Sequence, residues 1–477
     1  MTYTAVKVVI RNGGLKTSPF LRQAWTISAI FLIALSTGIM PQHSASAEDS
    51  NSEQITPLSA YNTIAIVVGC LASSILMDKV GRKLTFILGT LLGILTCCVV
   101  YLPGASMMGT LRITFSGLST GYTVILATIV IGEYTSPKYR GVFLNLITTS
   151  MNIGNTIGLI LRPNYHLELL LTALLLQILS FGIATTWPES PYWLASKKQL
   201  EKSKTAFQWL RNSTCKKELD DLRRKRTEVF PNSTSLLDLL KKYSSSEFLR
   251  PVTVVVFGVF LMVSSGRHFI ALSPLQTMGV DYRTYQILTS SIISLSSIVT
   301  LSLLLIFRHR MQLLISGSLT ASVLFLSSGY TFLINNKLIS DISWLGSLLF
   351  ILQLVLSNLG STSIPLALIG EVFPMNYKAA GSFISGLLIA MSSWVVVRSN
   401  PYLLSVLHFE GVLVLVGTLL IISLLVLFFI LPETKNKTLL EIEEYFQSER
   451  SIREEISNDK VRLTTGYYME TGSIPLY

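Results

Sequence analysis

Long apolar runs separated by short polar breaks fill the chain from about residue 24 to residue 431. A bilayer-spanning helix needs roughly 20 mostly apolar residues. Twelve stretches qualify: 24–41, 57–78, 84–103, 109–131, 142–161, 167–187, 252–274, 285–307, 312–334, 343–369, 379–404 and 410–431. The last contains GVLVLVGTLLIISLLVLFFIL, which has no charge. A large soluble core would need amphipathic helices with a polar face, and these stretches show none. The pattern predicts an all-α membrane protein of twelve transmembrane helices in two pseudo-symmetric six-helix bundles.

The polar breaks repeat. GEYTSPKYRG (132–141) returns as GEVFPMNYKA (370–379), 238 residues on from Glu133 to Glu371. Each copy sets a basic residue seven positions after its glutamate, Arg140 and Lys378. Pro188-Glu189-Ser190 returns as Pro432-Glu433-Thr434. Repeated charged punctuation between lipid-soluble halves is an organisation found in secondary transporters. The expected parts are an N-terminus (1–23), a first bundle (24–187), a basic loop with short helices at 197–211 and 216–229 (188–250), a second bundle (251–447) and a disordered tail (448–477).

Composition agrees with the membrane. Half the residues are hydrophobic and 14% are charged, against about 25% for a typical soluble chain. The net charge of +11 could suggest nucleic acid, but its distribution argues against that partner. With both termini inside, only Arg112, Arg162, Arg267, Arg283, Lys337 and Arg398 of the 38 Lys and Arg lie in outer loops or helix interiors. That is the positive-inside asymmetry. It predicts a multi-pass plasma-membrane protein with cytoplasmic termini. Cleavage of the first span as a signal peptide would leave eleven spans and reverse the charge rule. The sequons at Asn212, Asn232 and Asn436 then face inward. Cys70, Cys97, Cys98 and Cys215 imply no disulfide framework.

Candidate chemistry lies at the helix ends. Gly81, in Asp78-Lys79-Val80-Gly81-Arg82-Lys83, permits a tight turn with positive φ. Arg82 can then reach a helix end, with Asp78 as counter-charge. The matching break, Arg308-His309-Arg310, keeps basic character without the Asp or the Gly. Asp78, Gly81, Arg82, Glu133, Arg140 and Glu189 fall at one end of the first bundle, and Glu371, Lys378 and Glu433 mirror them in the second. Ion pairs made there in one state only would bias a conformational equilibrium. Solvated helix-end charges are the bland alternative. No P-loop, metal-ligand cluster or nucleophile constellation is present, so no enzyme, cofactor or metal is expected.

Six strings together resemble the sugar porter family of the major facilitator superfamily: DKVGRK (78–83), Arg112…Gly117…Gly121, GEYTSPKYRG, PESPYWL (188–194), GEVFP (370–374) and PETKNKTLLEIE (432–443). The resemblance covers about residues 20–447 and looks most like the insect branch that includes facilitated trehalose transporters. It implies a two-lobed bundle around a central site that opens alternately to each side, and a monomer carrying a small-molecule sugar. Proton-coupled family members carry an Asp in helix 1, where this chain reads TISAIFLIALSTGIM. Facilitated diffusion is therefore expected, with His268 the one titratable residue that could argue otherwise.

The cargo site departs from the family pattern. The usual helix 5 Gln falls on Thr148. The helix 7 Gln pair falls on Met262 and Val263, and the helix 7 Asn on His268. The helix 10 Trp falls on Leu366. A millimolar site is worth only about −4 kcal/mol and a net hydrogen bond about 0.5–1.5 kcal/mol, so losing several could erase it. Candidate replacements are Thr148, Thr149, Asn152, Asn155, Ser264, His268, Asn358, Thr362, Ser363 and Trp394, each of which could equally serve helix packing. The leading expectation is a trehalose or hexose uniporter. A carrier of another organic solute and a non-transporting sugar sensor are the alternatives.

Overall fold

The computed structural model describes residues 19–40, 52–101, 106–161, 164–211, 244–266, 281–340 and 342–446. The N-terminus before Pro19, the expected 216–229 helix, Arg267, His268 and the 448–477 tail lie outside the described residues.

The first half begins with α1 (Pro19–Ile39), α2 (Ser52–Lys79) and α3 (Arg82–Tyr101). It continues with α4 (Ser106–Tyr134), α5 (Pro137–Leu161) and α6 (His166–Thr186). Two short helices follow, α7 (Pro191–Ser196) and α8 (Leu200–Arg211). Pro137 and Pro191 each open a helix at its first position, where the missing N–H costs nothing. Ser190 caps α7 by accepting the Trp193 N–H at 3.3 Å. The expected 197–211 helix begins at Leu200 as α8, and the unexpected α7 lies before it, the two separated by Lys198, which has a positive φ.

The second half holds α9 (Ser246–Val263), α10 (Tyr282–Ile306), α11 (His309–Asn335), α12 (Ser343–Leu356), α13 (Ser363–Val372) and α14 (Lys378–Ile430). A π turn, Ser357–Ser361, joins α12 to α13, so the expected 343–369 span is one crossing with a bulge inside it. If straight, α14 would be about 80 Å long at 1.5 Å per residue. It reverses at His408, where φ is 55°. Both of its ends consequently reach the same side of the bundle as the repeated motifs. It therefore supplies the two spans expected at 379–404 and 410–431.

Nine described helices are long and apolar enough to cross a bilayer. With α14 counted twice and α5 and α9 added, twelve described segments correspond to the twelve expected crossings, the 252–274 one being described only as far as residue 266. Helix α5 is less apolar because Asn145, Thr148, Thr149, Asn152, Asn155 and Thr156 interrupt it.

The largest described apolar cluster of each half lies around Ile30, Leu126 and Ile147 in the first and Val254, Leu324 and Leu424 in the second. Small residues bring the helices close. A Cβ on Gly154 of α5 would collide with the Leu35 carbonyl of α1. The halves themselves meet along α2 with α14, where Ser74 and Ser382 hydroxyls are 3.4 Å apart, and along α5 with α10.

Candidate functional site

The repeated motifs converge at one end of the bundle. Gly81 has a φ of +108°, and a Cβ there would strike the Glu189 carboxylate. The turn delivers Arg82 to the start of α3, buried at 2% exposure. Its Nε donates to Glu133 Oε2 at 3.1 Å and its Nη2 to Oε1 at 3.1 Å. Its Nη1 donates to the Met77 carbonyl at 3.0 Å, closing the end of α2. Asp78 stands 3.5 Å from the same Nη1.

Glu133 receives two more partners. Ser190 donates its hydroxyl to Oε2. Lys378, from the other half, places Nζ 3.2 Å from Oε1. Both Glu133 and Lys378 are buried. Burying such charges is costly unless each is paired, and here one carboxylate satisfies two cations and a hydroxyl. Charge-assisted bonds of this kind are about twice as strong as neutral ones.

Glu189 acts through backbone. Its Oε1 accepts N–H bonds from Arg82 at 2.8 Å, Lys83 at 3.1 Å and Ser190 at 2.8 Å. Burial raises its pKa above the ordinary carboxylate range, with those backbone bonds opposing the rise. Tyr134 anchors the same loop by donating to the Pro188 carbonyl at 2.9 Å.

The other predicted charges make no described hydrogen bond or ion pair with Glu133 or Lys378. Arg140 donates to the Lys437 carbonyl at 3.1 Å, a further tie between halves, while its Nε and Nη2 have no partner among the described residues. Glu433 accepts the Lys435 N–H at 3.0 Å. Glu371 is 3% exposed, and its Oε2 has no hydrogen bond among the described residues.

Two contacts at this end escaped the sequence reading. The glycines of the two Gly-Glu pairs touch: a Cβ on Gly132 would lie 2.5 Å from the Gly370 carbonyl. Ser190 was legible only as punctuation. Its placement just before Pro191 is a helix-cap signal, but nothing in the sequence tied it to Glu133.

The candidate cargo residues are mostly occupied with one another. Asn152 donates to Ser297 Oγ at 2.8 Å and Asn155 to Ser290 Oγ at 3.0 Å. Thr156 shares hydrogen bonds with Ser290 and Ser294. These bonds zip α5 to α10 across the seam between halves. Asn358, in the π turn, donates to the Ile293 carbonyl at 2.7 Å and to Ser296 and Ser297 at 2.8 Å each. Thr362 donates to Asn358 Oδ1 at 2.9 Å and Ser363 to the Asn358 carbonyl at 2.8 Å.

Thr148 and Thr149 hydroxyls return to the Asn145 carbonyl, the ordinary behaviour of Thr in apolar helices. Ser264 is buried at the end of α9. Trp394 is half-buried on α14, and no described hydrogen bond or ring contact reaches it. Arg398 is exposed on α14. Ser297, the shared hub of Asn152 and Asn358, was not predicted. The Ser290, Ser294, Ser297 spacing along one helix face could have flagged it.

Comparison with known proteins supplies the rest. A model of the family described as "Sugar (and other) transporter" matches residues 26–446. The facilitated trehalose transporter Tret1 of Bombyx mori is 24% identical over 413 residues, covering 83% of this chain and 79% of that protein. The Anopheles gambiae protein of the same name is 25% identical over 403 residues, covering 80% of this chain. The chain spans about half of that mosquito relative, 49%. Among solved structures, the proton:xylose symporter XylE bound to 6-bromo-6-deoxy-D-glucose aligns with a TM-score of 0.71 at 14% identity, covering 90% of this chain and 99% of that one. The inward-open form of XylE from E. coli aligns with a TM-score of 0.58 at 13% identity, with the same coverage of both chains.

Proposed function

Because the chain belongs to the sugar transporter family of the major facilitator superfamily, we propose that it carries trehalose or a hexose across the plasma membrane by alternating access, without proton coupling. The observation that supports this most is the Glu133–Lys378 ion pair between opposite halves. It requires the motif-bearing ends to be together, so it belongs to the state closed at that end. Opening that end must break it.

Arg82, Glu133, Ser190 and Lys378 form the proposed gate. Gly81, Asp78 and Glu189 position it, Arg140 ties the same end to Lys437 of the other half, and Glu371 and Glu433 are its counterparts in the second half. The positive-inside charge places this end on the cytoplasmic side, with both termini. Helix α1 carries no Asp or Glu along its length. Intramembrane proton relays need a titratable group, which favours facilitated diffusion.

One observation favours a second reading, a carrier of another organic solute. The polar groups of Asn152, Asn358 and Thr362 are already bonded between or within helices. Among the described candidates this leaves Trp394 free to stack on a solute.

Uptake into proteoliposomes tests both readings. The proposal expects saturable trehalose or hexose flux that is unchanged by an imposed pH gradient. Flux that follows the gradient overturns the uncoupled mechanism, and flux confined to non-sugars establishes the second reading. Sugar binding without any flux makes the protein a sensor.

A further inference from the structure

The two halves carry the same parts in the same order, and this order fixes which residue answers which. Lys83 donates Nζ to the Thr185 carbonyl near the end of α6 at 2.8 Å. Arg310 donates to the Phe428 carbonyl near the end of α14. The shared role aligns Lys83 with Arg310, and therefore Arg82 with His309. Each of the latter opens its helix, α3 or α11. Ser190 and Thr434 align through the Pro-Glu-Ser and Pro-Glu-Thr triplets, and Glu133 and Glu371 through the Gly-Glu pairs.

The first-half set is bonded together. Arg82 and Ser190 both donate to Glu133, which can then receive Lys378 from across the seam. In the second half the counterparts bond each other: His309 Nδ1 lies 3.2 Å from Thr434 Oγ1. No described hydrogen bond or ion pair reaches Glu371. Arg140, the counterpart of Lys378, gives one nitrogen to the Lys437 carbonyl, and its Nε and Nη2 are unbonded among the described residues. His309 is buried at 7% exposure, with its ring against Gly141 of α5, where any Cβ would collide with the imidazole.

We infer that His309 deletes one of two ionic clasps, so that the motif end is held shut by the Glu133 clasp alone. An arginine offers a planar fork that grips a carboxylate through two bonds. Arg82 uses that fork to hold Glu133 in place for Lys378. The imidazole at position 309 has no such fork. Glu371 is left without a holder, and Arg140 turns to a carbonyl instead. The gate therefore opens more readily than a pair of equal clasps would allow. His309 acts here as a positioning residue.

This inference rests on the gating reading, and one experiment separates the two. Ser382 is fully buried beside Ser74 at the seam, so a cysteine there should react with a soluble maleimide only when the motif end opens. The probe is Ser382→Cys in a chain whose own cysteines are replaced by serine, purified into nanodiscs.

His309→Arg should slow labelling about tenfold, equivalent to about 1.4 kcal/mol, and adding Glu371→Gln should return the rate to its starting value. An unchanged rate in His309→Arg, or slowing that survives Glu371→Gln, overturns the inference. Should the arginine fail to fit against Gly141, single glutamine variants decide. Glu133→Gln should speed labelling at least five times more than Glu371→Gln. Equal acceleration shows two working clasps and sinks the inference. No acceleration by Glu133→Gln sinks the gating reading itself.

Discussion

Lys378 and Glu133 belong to opposite halves of the molecule, yet Nζ lies 3.2 Å from Oε1 and both side chains are buried. Breaking a buried pair by removing one partner typically costs about 3–5 kcal/mol. Glu133→Ala strands Arg82 and Lys378 together, so its folded yield should fall clearly below that of Lys378→Ala, which leaves Arg82 still paired. Lys378→Ala should fold and reduce uptake at least tenfold at equal surface amount. Normal uptake by Lys378→Ala would remove the pair from the transport cycle.

The Gly132–Gly370 contact should tolerate no side chain. Gly370→Ala would bring a Cβ to 2.5 Å from the Thr128 carbonyl, wedging α4 from α13. We expect Gly132→Ala and Gly370→Ala each to abolish most uptake while leaving the protein monodisperse in detergent. Gly182→Ala, with open space around it, is the control and should behave as wild type.

The α5–α10 zipper should show coupling. A double-mutant cycle on Asn152→Ala and Ser297→Ala, read by thermal unfolding of the purified protein, should give about 0.6 kcal/mol and at most about 1.7 kcal/mol, the range for hydrogen bonds between membrane helices. Asn358→Leu should cost more, about 1–3 kcal/mol, because it removes at once the amide's bonds to the Ile293 carbonyl, Ser296 and Ser297 and the acceptor of the Thr362 hydroxyl. Additive effects in the cycle would mean that the Asn152–Ser297 bond contributes nothing.

Glu189 should make the motif end sensitive to pH. Burial holds its folded pKa above the unfolded value, which is about 4.3. A carboxyl raised in this way contributes stability that is fully present below the unfolded value and is lost as pH rises through the folded one. Glu189→Gln keeps an acceptor oxygen and does not titrate. The melting temperature of wild type minus that of Glu189→Gln should therefore fall as pH rises from about 4 to about 7. A difference that grows with pH would show that the backbone N–H bonds to the carboxylate dominate over burial.

The helices and the charged motif residues were legible for different reasons. Apolar length announces a membrane helix because the bilayer imposes a fixed thickness. The repeated Gly-Glu and Pro-Glu pairs stood out because charges are rare in such a chain. The roles within the set were not legible. Glu133 and Glu371 have the same local wording, yet among the described residues one is clasped by three partners and the other by none. The difference arises from Arg82 and His309, each more than fifty residues from its glutamate. The candidate cargo residues are ambiguous for a related reason. Asn, Ser and Thr in an apolar helix signal a polar partner without saying whether that partner is a solute or a neighbouring helix.

The sequence alone determined that this chain crosses a membrane repeatedly, that its halves repeat, and which end carries the charges. Those features follow from local composition and spacing, which water and lipid sort without reference to distant residues. Only the tertiary structure decided that Glu133 crosses to Lys378, that Ser297 joins Asn152 to Asn358, and that His309 sits in Gly141's empty space. Each of these depends on where separate helices pack, to within a single side chain.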